Sequence, residues 1–134
     1  MALTRDRNTP CRIGDEFSYP VEASTIIYAG ALVALNAAGN AVPGSTATTL
    51  KAVGRAENQV SNNPGAAGDK RVNIRRGVFK FLNSGTDAIT AANLLTTCYI
   101  VDDVTVAATN GTNTRSAAGK VIDIEADGVW VEIR

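Results

Sequence analysis

Residues 120–133 read KVIDIEADGVWVEI. Apolar and polar side chains alternate on both sides of Asp127-Gly128, which is the period of a half-buried strand. Asp-Gly between two such runs is among the strongest short hairpin signals. The segment therefore reads as a strand over 120–126, a turn at Asp127-Gly128 and a return strand over 129–133. Ile122 and Ile124 are expected to face one way. Val129, Val131 and Ile133 share a face of the partner strand, with Trp130 pointing away from them.

The neighbouring segments continue the pattern. In RVNIRRGVFKF, 71–81, Val72 and Ile74 alternate with Arg71, Asn73 and Arg75. The apolar parity then shifts to Phe79 and Phe81 around Lys80, which predicts a β-bulge at Arg76-Gly77. Upstream, 30–42 reads as strand, turn, strand, with Gly39 supplying the positive φ of a tight hairpin. Residues 50–56 make a further strand, and the polar cluster 61–69 makes a loop. Downstream, 98–106 has strand character with Asp102-Asp103 in its middle, and 109–116 is a Thr/Asn/Gly loop. Only DAITAANLL, 87–95, has helical content. Thr90 is the candidate cap of a turn or two, which at that length depends on tertiary packing.

Composition agrees with this reading. Among 134 residues, 22 are Val or Ile against 7 Leu, and 14 Thr add further β-branched side chains suited to a pleated surface. The 45% apolar fraction includes 21 Ala, so the bulky core is thin for a domain of this size. The expectation is a mainly β chain: a single compact β-barrel or β-sandwich-like domain over 21–134, with one short helix, behind an extended N-terminal arm over 1–20. The arm carries Arg5, Arg7 and Arg12, has Pro10 and Pro20, and sustains no periodicity. A frayed terminus and an arm that orders on a partner both fit that composition.

Charge and residue type narrow the chemistry. Thirteen cations balance 13 acids and there is no histidine. The chain thus lacks the basic excess of a nucleic-acid binder and the commonest general base. Cys11 and Cys98 are too few for a zinc site, although one bridge between them is open. Asp123, Glu125 and Asp127 alternate, as a hard-cation site or a solvated hairpin face would, but without a calcium-loop spacing. Asp102 and Asp103 are adjacent, hence a poor acid–base dyad. GAAGDK, 65–70, lacks the Walker spacing and leads into a strand. The apolar run 26–35 is broken by Gly30 and too short to span a bilayer, and no secretory leader is visible. These features predict no enzyme, cofactor or metal, and no nucleic-acid, membrane or small-molecule partner.

The layout of charge is more informative than its sum. Lys70, Arg71, Arg75, Arg76 and Lys80 fall within 11 residues, whereas Asp102, Asp103, Asp123, Glu125, Asp127 and Glu132 crowd the C-terminal part. Either neighbouring strands pair inside one molecule, or the basic strand of one copy meets the acidic hairpin of the next, head to tail. The candidate subunit-interface residues are Arg71, Arg75, Arg76, Lys80, Asp123, Glu125 and Trp130.

Taken together, TRDRNTP (4–10), IYAGALVALNAAGNAVPG (27–44), AVGRAENQV (52–60), RRGVFKF (75–81), DAITAANL (87–94), YIVDDVTVA (99–107) and TRSAAGKVIDIEADGVWVEI (114–133) resemble the head-decoration, or capsid cement, proteins of tailed bacteriophages, especially of Mu-like phages. Each stretch is short; their order and spacing over nearly the whole chain carry the likeness. The resemblance implies a β-rich homotrimer assembled in the host cytoplasm. It sits on the outer surface of the virion head at threefold or quasi-threefold positions and clamps the major capsid protein after expansion. It brings no catalytic residues. On the arm reasoning, the candidate capsid contacts are Thr4, Arg5, Arg7, Asn8 and Arg12. The alternatives are a free-standing β-sandwich binding module, for example for glycans, and a small trimeric hydrolase.

Overall fold

The structure is a computed structural model that describes residues 2–9 and 14–134. Its strands are β1 (Glu16–Pro20), β2 (Ile26–Ile27), β3 (Leu32–Leu35), β4 (Ala41–Pro43), β5 (Lys51–Ala56) and β6 (Val60–Ser61). They continue as β7 (Arg71–Arg75), β8 (Gly77–Asn83), β9 (Thr97–Ile100), β10 (Thr105–Ala107), β11 (Ala117–Glu125) and β12 (Gly128–Ile133). One five-stranded sheet has the order β1-β7-β5-β3-β4, and β10-β8-β12-β11-β9 closes into a barrel. β2 and β6 form a small separate ladder. The chain is mainly β, as its composition predicts.

The C-terminal hairpin forms where expected, with two changes. Its register slips between Val121 and Asp123, so Val121 is fully buried while Ile122 is 37% exposed. Ile122 therefore does not share an inward face with Ile124; the slip reverses the parity that strict alternation predicts. Gly128 lies in β12 opposite Glu125 and not at a left-handed turn position. A Cβ there would lie 2.8 Å from the Phe81 carbonyl oxygen, so close approach of β12 to β8 is what requires glycine. Gly39, by contrast, has the expected positive φ, +85°, in the β3–β4 hairpin.

The expected bulge at Arg76-Gly77 is instead a change of sheet. β7 pairs with β1 and β5, and β8 pairs with β12 and β10. Arg76 alone spans the junction: its N–H donates to the Asp15 carbonyl at 2.7 Å and its guanidinium lies 4.8 Å from the Phe17 ring centre. The parity shift arises because each strand presents its apolar side to a different core. Similarly, 98–106 is two strands, β9 and β10, with Asp102 and Asp103 in the turn between them. The Asp102 carboxylate closes that turn by accepting the Val104 N–H at 2.9 Å.

The short helix reduces to a single 3-10 turn, Ala91–Asn93, behind Thr90. Leu94 leaves helical geometry at ψ 135° and Leu95 has φ +63°, so the chain cannot add a second turn. Three residues are below the length at which helical hydrogen bonds outweigh nucleation. The arm is also shorter than expected. Glu16–Pro20 is the edge strand β1, paired with β7 from Glu16↔Arg75 to Pro20↔Arg71.

Two apolar cores flank the five-stranded sheet. Leu32 and Ala34 of β3 join the barrel core with Phe81, Ile100, Val121 and Val131. Val33, between them, faces a second core with Val21, Ile27, Val72 and Ile74. Pleat alternation along β3 makes this sheet the shared wall of both cores.

Candidate functional site

Residues 2–9 are exposed throughout, with Leu3 at 73%. Among the described residues their hydrogen bonds are local: Thr9 N–H donates to the Arg7 carbonyl at 3.1 Å, and Arg7 Nη1 donates to Thr9 Oγ1 at 3.2 Å. Thr4, Arg5, Arg7 and Asn8 are thus all presented to solvent. Arg12 and Cys11 lie outside the described residues.

The basic strand is occupied within the molecule. Arg71 donates to Ser18 Oγ and the Ser18 carbonyl, at 3.1 and 2.9 Å. Arg75 Nη2 binds Glu16 at 2.6 Å, and its Nε lies 3.9 Å from Glu57. With Arg76 over Phe17, the cations of this segment fasten β1 to the sheet.

Lys80, Glu125 and Trp130 also converge. Lys80 Nζ lies 2.9 Å from Glu125 and 2.6 Å from Asp127, and Trp130 Nε1 donates to Glu125 Oε1 at 3.0 Å. Hydrogen bonds to Asp127 and then Glu125 raise the Lys80 pKa. Lys80 and then Trp130 lower that of Glu125, and Lys80 lowers that of Asp127. The amine sits where a hard cation would bind this face, and Asp123 instead accepts the Ile124 N–H at 2.8 Å. Among the described residues no group of three or more His, Cys, Asp or Glu is placed to hold a metal ion, and no helix is long and apolar enough to cross a membrane.

Sequence reasoning missed the most enclosed ion pair among the described residues. Arg115 Nη1 binds Asp87 Oδ2 at 2.8 Å, with side-chain exposures of 16% and 25%. Thr109 donates to the same oxygen from its hydroxyl at 2.6 Å and its N–H at 3.0 Å. The partners are 28 residues apart, and no local pattern links them. The Thr109 hydroxyl, its N–H and Arg115 hold the Asp87 carboxyl below its ordinary value. A depressed folded-state pKa adds stability above the unfolded value, near 3.9, and loses it as pH falls through the folded value. Asp87→Asn is expected to cost about 1–3 kcal/mol at pH 7. In urea titrations, its deficit against wild type should shrink below about pH 4 as the native carboxylate protonates.

Cys98 is a free, buried thiol whose pKa burial pushes up to about 11, which keeps it protonated and inert at neutral pH. The molecule is thus a barrel-and-sheet β protein with an exposed cationic leading segment and internally paired strand charges. Compared with protein-family models, curated proteins and solved structures, the chain matches none.

Proposed function

We propose that this chain is a capsid decoration protein of a tailed bacteriophage. It binds the outside of the expanded head as trimers at threefold or quasi-threefold positions and holds neighbouring major capsid subunits together. The observation that carries the reading is the exposed segment 2–9, whose Arg5 and Arg7 form no ion pair among the described residues, preceding a strand that Arg71 and Arg75 fasten into the sheet. A segment built this way reaches a neighbour while its root stays anchored. The sequence likeness runs through both segment and body. Binding only the mature lattice stabilises that lattice by mass action, and three copies per trimer multiply weak contacts.

Co-sedimentation with purified heads tests the reading. The protein should pellet with expanded heads and stay in solution with unexpanded ones; no pelleting with expanded heads would overturn it. Deleting residues 1–12 should leave the thermal midpoint close to wild type, since among the described residues 2–9 make only local hydrogen bonds. Head affinity should drop roughly tenfold or more, about 1.4 kcal/mol. Unchanged affinity would remove the arm from the mechanism.

A further inference from the structure

Two surfaces carry charges that form no ion pair among the described residues. The first is the β9–β10 turn. Among the described residues Asp102 and Asp103 form no ion pair. Beside them Val104, Leu82 and Tyr28 are 44%, 51% and 58% exposed. They form one patch: Leu82 N–H donates to the Val104 carbonyl at 2.8 Å, and Tyr28, Asp103 and Val104 line one depression. An apolar patch with an acidic rim favours a partner that is apolar or small in the middle and cationic around it.

The second surface is a groove of about 530 Å³ between β5 and β11 that meets this description. Ala52, Ala118 and Gly119 line it, Lys51 and Lys120 are its exposed lysines, and its one carboxylate, Glu132, lies across from Lys120 and pairs with Arg134 at 3.4 Å. Neither lysine forms an ion pair among the described residues. Thr97, the first residue of β9, also lines the groove, whereas the acidic turn follows the last residue, Ile100. At about 3.3 Å per residue the strand separates the two surfaces by roughly 10 Å. One copy therefore cannot bring its own turn into its own groove.

We infer that the turn at 102–104 of one copy seats in the Lys51–Lys120 groove of the next. Surfaces at opposite ends of one strand make a heterologous contact, which gives a ring where its rotation closes. The small residues of the groove admit the turn, the lysines meet its carboxylates, and contact covers Val104 and Leu82. The inference rests on the proposed trimer for the number of copies, but its test is made in solution without heads.

Size-exclusion chromatography with light scattering should give about 42 kDa for wild type, three times the 13.9 kDa chain. Asp102→Lys/Asp103→Lys and Lys51→Glu/Lys120→Glu should each give folded monomers, and the variant carrying all four changes should regain the wild-type mass. Leu82→Glu, at an exposed position outside the turn, should also give monomers even if the Asp102 changes disturb the turn itself. A monomeric wild type, a Leu82→Glu variant of wild-type mass, or a folded four-fold variant that stays monomeric would each overturn the inference. Co-sedimentation of wild type with heads reports separately on the capsid reading, so failure of one is distinguishable from failure of the other.

Discussion

Gly54→Ala is expected to lower the thermal midpoint by about 10 °C or more, from a loss of at least about 3 kcal/mol. Gly54 has φ +148°, which L side chains rarely adopt, and it lies in β5 directly beside β7. A Cβ there would collide with the Arg75 carbonyl oxygen and lie 2.8 Å from Ile74 Cγ2. The obstacle is mainly backbone, so no rotamer change relieves it, and β5 and β7 would have to separate at the centre of the sheet. Against a total stability of about 5–15 kcal/mol, that is a large fraction. Gly85→Ala is the control: no atom lies within 4 Å of its Cβ position, so its stability should stay within about 0.5 kcal/mol of wild type. Thermal melts followed by circular dichroism compare the two.

The second large effect is expected at β3. Leu32 and Val33 are adjacent and fully buried, yet belong to different cores. Leu32→Ala should cost about 2–5 kcal/mol by leaving a cavity in the barrel core, and Val33→Ala somewhat less in the outer one. Because one strand forms the wall of both, each variant should shift a single transition as a whole. The far-ultraviolet signal and the fluorescence of Trp130, which sits on the barrel, should report the same midpoint in each variant. Divergent midpoints in the Val33 variant would show that the cores unfold separately.

What the sequence reveals of this molecule is local. The alternation of Val129, Val131 and Ile133 and the glycine of the β3–β4 turn each depend on a few neighbouring residues, and both are found as expected. The errors arise where a distant partner decides. Parity at Arg76-Gly77 changes because β7 and β8 enter different sheets, a fact set by β1 and β12. Gly128 has the signature of a turn residue, but its role is set by the Phe81 carbonyl of another strand. The candidate interface charges show the same limit. Clustering along the chain marks Arg75, Lys80 and Glu125 as candidate interface charges, and only the fold shows that Glu16 and Glu125 of the same molecule pair with those two cations. Lys51 and Lys120 share a groove although 69 residues separate them in sequence, so no reading along the chain could join them.

The attachment of β1 has a mechanical consequence. The chain enters β1 at Glu16, opposite Arg75, and β7 passes on toward the barrel from that same end. A pull on the N-terminal side directed along β1 loads the five residue pairs together, in shear. The same pull directed outward, across the strand, opens them singly from Glu16 and meets the Glu16–Arg75 ion pair first. The joint therefore resists tension best when the load runs in the plane of the sheet, so its strength depends on direction as well as on bonding.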